Sequence, residues 1–249
     1  SEVEGEILSK TQPFPLKPPP VARQGLKKED MNDVTPEAKA YAEEMFSNHD
    51  YGPLFTPISN RGTLIHPGFR GGALWGGCSF DPKRNRLFVN ADETTNLIVL
   101  KPAGPDKGFK FDLQTRQQVR TPEGYPLVKP PWGTLTAIDL DSGEFAWRVP
   151  SGEYPELTAK GVPKTGTCSH GGSIATAGGL VFIGSNFDRT FRAYSSDSGK
   201  IVWEHQLNAG GFATPCTYMA NGKQYVLIAA GGGKGDSPSG DEYVAFALP

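Results

Sequence analysis

The sequence has no run of 18 apolar residues, which excludes a transmembrane helix. It also has no apolar leader and no initiator methionine. It opens at Ser1 in a polar stretch, which reads as a processed or excised piece. Cysteine is scarce: Cys78, Cys168 and Cys216 stand without CxxC or CxxCH spacing, so zinc and covalent haem are not expected. The odd number leaves a free thiol unless chains are cross-linked, and the three positions read as small buried hydrophobes. Neither sign of charge dominates. With 25 Lys and Arg against 27 Asp and Glu, the net charge of −2 offers nothing to nucleic acid or to an anionic membrane. Cys168 and His170 lack an acid or second histidine at catalytic spacing, so a cysteine nucleophile is not expected. The glycine-rich stretch Gly231 to Gly240 does not match GxxxxGK[ST] and lies between strand-like runs, so it reads as a hairpin loop.

Glycine and proline, by contrast, are plentiful, at 31 and 22 residues, and suit a turn-rich β protein. Leu135 to Trp147 (LTAIDLDSGEFAW) recurs as Arg192 to Trp203 (RAYSSDSGKIVW), with Ala137 to Trp147 and Ala193 to Trp203 at equal spacing. Two apolar runs around Asp-Ser-Gly make a β-hairpin. A hairpin recurring after roughly 50 residues marks a repeat architecture, and a four-stranded propeller blade has that period. Each copy follows an apolar strand (Leu87 to Asn90, Leu180 to Gly184), and Tyr225 to Ala229 begins a third. Gly71-Gly72, Gly171-Gly172 and Gly210-Gly211 lie upstream of these strands, and Tyr243 to Leu248 ends the third copy without a Trp strand. The expected blades are roughly 70–150, 165–206 and 209–249, the last lacking an outer strand.

Residues 1–69 read as an extended Pro-rich arm, one short helix and lead-in strands. Pro13, Pro15 and Pro18 to Pro20 forbid a regular helix. Thr35-Pro36-Glu37 then opens a helix, with Tyr41, Met45 and Phe46 as its apolar stripe and Asn48 to Gly52 stopping it. Residues 93–133, dense in proline and glycine, read as a long irregular insertion ending at Pro131-Trp132-Gly133.

Taken together, TQPFPLKPPP, GPLFTP, GTLIHPG, GGALWGG, PWGTLTAIDLDSGEFAW, GGSIATAGGLVFIGS, AGGFATPCTY and YVAFALP resemble the C-terminal part of the pyrroloquinoline quinone (PQQ)-dependent dehydrogenases, especially the membrane-bound glucose dehydrogenase type. The resemblance covers nearly the whole chain. It implies an all-β fold of about three to four blades, the second half of an eight-bladed quinoprotein propeller, with one short helix near the N-terminus. The repeated hairpin is similar to that family's tryptophan-docking motif, here carried by Ala137, Asp139, Gly143 and Trp147 and again by Ala193, Gly199 and Trp203. Asp139 is expected to hold the hairpin turn by accepting from backbone N–H groups, with Ser195 in its place in the second copy.

The resemblance further implies an oxidoreductase of the bacterial periplasm that oxidises a glucose-like sugar or an alcohol with PQQ and calcium. Electrons would pass to quinone or a cytochrome. Trp75, Trp132, Ser169 and His170 are the residues expected near the cofactor. Leu74, Cys168 and Ser169 depart from the family pattern. No catalytic base or metal ligand is expected in this chain, so its activity alone should be absent. Its expected partners are the remaining blades, the substrate and the electron acceptor, and exposed blade faces of a half ring would favour a homodimer. The alternative is a PQQ-like propeller acting as a binding scaffold without cofactor.

Overall fold

Thr35 Oγ1 accepts the N–H of Ala38 at 3.0 Å and Pro36 fills the first turn, so helix α1 spans Pro36–Asn48. Its buried face is Ala38, Ala42 and Phe46, while Tyr41 and Met45 are only half covered. The small residues, four apart, allow closer packing than the expected Tyr41-Met45-Phe46 stripe would. The computed structural model describes residues 5–185, 187–234 and 237–248. The chain divides into two compact units that interleave in sequence: Ser1–Pro15, Ala22–Gly72 and Glu93–Pro130 in the first, and Leu16–Val21, Ala73–Asp92 and Pro131–Pro249 in the second.

The first unit carries α1 and a three-stranded antiparallel sheet of β1 (Thr63–Ile65), β4 (Thr95–Pro102) and β5 (Phe111–Val119), in the order β1-β4-β5. Much of the stretch expected to be an irregular insertion is therefore a hairpin, paired from Thr95↔Val119 to Pro102↔Phe111. Apart from Pro102, which closes β4, its prolines and glycines sit at the turn and beyond the strands, where they cost no ladder bonds. The arm is tied down by a bridge between Gly25 and Pro53, by another between Met31 and Val128, and by buried Asn32, whose amide donates to Pro126 O at 2.7 Å.

The second unit holds three antiparallel sheets. The first has β2 (Ala73–Asp81), β3 (Arg86–Asp92), β6 (Gly133–Asp139) and β7 (Phe145–Pro150) in sequence order across the sheet. The second is β8 (Ser173–Ala175), β9 (Leu180–Gly184), β10 (Thr190–Ser195) and β11 (Ile201–Gln206), reached through the short helix α2 (Pro155–Thr158). The third is β12 (Cys216–Ala220), β13 (Lys223–Gly232) and β14 (Ser239–Ala247). Neighbouring strands in these sheets are joined by short links, except β3 and β6, whose connection passes through the first unit.

Two cores fill the spaces between these sheets. Phe88, Leu135 and Ala137 of the first meet Val181, Ile183 and Tyr194 of the second, with Trp147 packed alongside. Phe182, Phe191 and Ala193 of the second meet Val226, Ile228 and Ala230 of the third, with Trp203 and Phe246 alongside. The two hairpin copies agree in detail. Ala137 pairs with Trp147 and Ala193 with Trp203, and in both the register shifts at the next residue, at Ala137/Ile138 and Ala193/Tyr194. Asp139 Oδ1 accepts the N–H groups of Asp141 and Ser142 at 3.1 and 2.9 Å, which with the Ser142 hydroxyl holds its carboxyl below the ordinary value. In the second copy Ser195 Oγ accepts from Asp197 N–H at 3.3 Å.

The cysteines differ from expectation. Cys168 is buried, but Cys78 and Cys216 are exposed, and all three are free thiols. Cys78 lies on β2, the first strand of its sheet, and Cys216 on β12, where four of five residues are exposed, and neither joins the cores between sheets.

Candidate site at the inner strands of the second unit

Strand β2 departs from regular pairing near its start. Ala73 opposes Ala91 and the next pair is Cys78 with Val89, so Leu74 to Gly77 bulge out of the ladder. The bulge buries Leu74 and leaves Trp75 79% exposed. Gly76 then meets the second sheet's lead-in segment backbone to backbone. A Cβ on Gly76 would lie 2.3 Å from Gly172 N, and one on Gly172 would lie 2.0 Å from Gly76 O. Thr214, ahead of β12, donates its hydroxyl to Gly76 O at 3.2 Å. The approaches to β8 and β12 thus converge on the β2 bulge.

The segment Ser169 to Gly172 is held from the end of β3. Asp92 Oδ1 accepts the N–H of Ser169 at 2.9 Å, and Asn90 Nδ2 donates to Gly171 O at 2.7 Å. The Ser169 hydroxyl donates to Gly184 O at 3.3 Å, so both its N–H and its hydroxyl are committed within the fold. His170, between them, is half-buried with its ring 5.5 Å from that of Phe212. Trp132 is fully enclosed. Its backbone N–H donates to Thr165 O at 2.7 Å, and its ring stands edge-on to Tyr154 at 5.2 Å. Of the four residues picked from sequence, Trp75 alone presents an open ring face.

The sequence pointed to Trp75 but not to what accompanies it. Lys234 Nζ lies 5.9 Å from the centroid of the Trp75 ring. Its loop is braced on the lead-in to β12 by Gly232 N–H to Gly210 O at 3.0 Å and Gly210 N–H to Ser237 Oγ at 2.9 Å. Reading Gly231 to Gly240 only against a phosphate-loop pattern missed this lysine, because its partner is distant in sequence. Asn90 and Asp92 gave no signal either; polar residues near a strand end are usually solvated.

A family model for the glucose/ethanol/alcohol dehydrogenase β-propeller domain, a PQQ family, matches residues 1–226. The chain belongs to the PQQ-dependent dehydrogenases. Within that family it is 36% identical to quinoprotein glucose dehydrogenase A of Acinetobacter calcoaceticus, over all of this chain and 34% of the relative. It is 33% identical to the quinate/shikimate dehydrogenase (quinone) of Acinetobacter baylyi, over 100% of this chain and 34% of the relative. Among solved structures, a quinohemoprotein alcohol dehydrogenase from Pseudomonas putida is similar at TM-score 0.50 and 28% identity, over 68% of this chain and 23% of that one. A europium-containing methanol dehydrogenase shares the fold at TM-score 0.55 and 19% identity, over 82% of this chain and 31% of that one. The chain spans about a third of the length of these curated relatives. Its all-β sheets are propeller blades.

The open indole of Trp75 fits a flat ring system such as the family's quinone. A metal ion does not fit the same residues. Among the described residues no three His, Cys, Asp or Glu side chains come together to hold one. Nor, among the described residues, is any helix long and apolar enough to cross a membrane.

The first unit has a separate buried ionic group. Glu93 Oε2 lies 2.7 Å from His66 Nε2, and the other ring nitrogen of His66 is 3.0 Å from Thr95 Oγ1. Arg23 reaches Glu93 Oε2 at 3.3 Å and Asp30 Oδ1 at 3.3 Å. Burial alone would raise the Glu93 carboxyl, but the hydrogen bond with His66 and the charge of Arg23 hold it below its ordinary value.

Proposed function

We propose that the chain forms part of the wall of a PQQ site in a dehydrogenase that oxidises a sugar or an alcohol and passes electrons to quinone or a cytochrome. The observation that carries this reading is the β2 bulge, which sets the exposed Trp75 where the lead-ins of the other two sheets converge. When bound, PQQ supplies the two-electron acceptor. The roles left to this chain are binding and placement: Trp75 offers a ring face, and His170 is fixed beside Phe212 by the Ser169 and Gly171 hydrogen bonds. Ser169 and Trp132 lie behind that surface as its support. The proton-abstracting base and the calcium ligands belong to the longer protein, so this chain alone is inactive. That protein would work in the bacterial periplasm or on the outer face of the inner membrane.

The repeated hairpins carry the docking role, with Trp147 and Trp203 each packed against the following sheet. The outer face of the third sheet, with Tyr218 and Tyr243 exposed, would be covered by further blades of the longer protein, or by a second copy when the chain is alone.

Titrating the chain with PQQ and calcium, while following quenching of its four tryptophans, tests the reading. Saturable quenching that is lost in Trp75→Ala is expected. Quenching unaffected by that substitution would place the quinone elsewhere.

A further inference from the structure

We infer that the outer edge of β5 is a docking site for an extended acidic segment of a separate protein, which adds to the β1-β4-β5 sheet as a fourth strand. The surface lies in the first unit and uses none of the residues proposed to face the cofactor. β5 is nine residues long and stands last in its sheet. Among the described residues no backbone–backbone hydrogen bond reaches it from any segment but β4. Such an edge presents alternate N–H and C=O groups ready to pair with another chain.

Open edges are usually guarded by a charge, and β5 carries Arg116. The register shows that this charge is directed differently. Ile98 opposes Arg116 and Leu100 opposes Leu113, so Gln114 is an extra residue that brings Leu113 and Arg116 onto one face of the hairpin. On that face the Arg116 guanidinium lies 4.2 Å from the centroid of the Phe69 ring, and Phe69 and Leu113 are both exposed. A guanidinium laid on a ring keeps its in-plane donors for a carboxylate. Among the described residues no carboxylate pairs with it.

The surrounding charge gives the sign of the partner. From Thr95 to Val119 there are four basic and two acidic residues, a balance of +2, while the rest of the chain has 21 basic and 25 acidic residues, a balance of −4. An acidic strand is drawn to this edge and repelled by the remainder of the chain, and a basic strand meets the reverse. A small acid has no use for the backbone edge. An extended peptide engages all three features: the edge groups, Arg116, and the apolar surface of Phe69 and Leu113.

The test adds three probes in turn to this chain and to the longer protein: a decapeptide alternating glutamate with valine, one alternating lysine with valine, and phosphatidylglycerol vesicles. Amide hydrogen exchange of residues 111–119 is the readout. The acidic peptide should bind saturably, less tightly in added salt, and slow exchange at alternate amides of β5 while leaving the second unit unchanged. Arg116→Glu should weaken binding by roughly tenfold and Arg116→Lys by less, with the fold intact by circular dichroism. No binding of the acidic peptide, equal binding of the basic one, or an undiminished affinity in Arg116→Glu overturns the inference. Binding that leaves β5 exchange untouched does the same. Vesicles that protect those amides where the peptide does not would replace the protein partner with an anionic lipid surface. Amides of β5 already protected in the longer protein would mean that its own remaining chain covers the edge, which also removes the inference.

Discussion

The indole Nε1 of Trp147 donates to the carbonyl oxygen of Ser196 at 3.0 Å, across the interface between the first and second sheets of the second unit. The same ring lies over Gly199, the glycine of the second hairpin turn, where a Cβ would come 2.7 Å from Trp147 Cε3. The last strand of one sheet is thus fastened to the turn of the next by one hydrogen bond and one face contact. Trp147→Ala removes both and should cost about 3 kcal/mol, read as a lower denaturation midpoint. Trp147→Phe keeps most of the ring contact and should cost about 1 kcal/mol for the lost hydrogen bond.

The two hairpin turns allow a sharper comparison. Gly143 and Gly199 both have left-handed backbones, with φ of +71° and +69°. A Cβ at Gly143 would meet only the flexible Lys17 side chain, at 3.3 Å, whereas at Gly199 it meets the indole. Gly143→Ala should therefore cost about 1 kcal/mol of backbone strain. Gly199→Ala adds the clash and should cost at least as much again. Equal losses in chemical denaturation would show that Trp147 moves aside freely.

That contact marks where sequence reading stopped. The spacing of Ala137 to Trp147 and Ala193 to Trp203 gave the hairpins, their pairing and their Asp-Ser-Gly turns, because a β-ladder and its turn are local and periodic. The helix at Pro36–Asn48 was legible for the same reason, from its cap and its first-turn proline. Strands β4 and β5 were not, since proline and glycine around them suggested loop while polar alternation hid the pairing. Trp75 could be singled out from its motif, yet its meeting with Lys234 depends on a bulge and two bracing loops that no spacing encodes.

Glu93 gives the first unit a pH dependence. Its carboxyl is held below its ordinary value in the fold, so its contribution is fully present above the unfolded value near 4.5 and is lost as pH falls through the lower, folded value. Glu93→Gln should cost about 2 kcal/mol at neutral pH and flatten the acid side of the stability curve. A variant with the same acid slope as the parent would show that other carboxylates set that limb.

Thiol labelling of the native chain should modify Cys78 and Cys216 quickly and Cys168 only after unfolding, since the first two are exposed and the third is enclosed beside the Trp132 carbonyl. Mass spectrometry counts the labels. Rapid native labelling of Cys168 would mean that the segment before Ser169 opens readily.

The contact between Gly76 and Gly172 leaves no volume for any side chain between β2 and the lead-in to β8. Such a seam has the width of two backbones and cannot be tuned by substitution. Substitution there is then open only to the neighbours that point away from the seam, Trp75 on one side and His170 on the other. The scaffold can stay the same while those two side chains change, which makes them the natural places to redesign ligand preference without disturbing the fold.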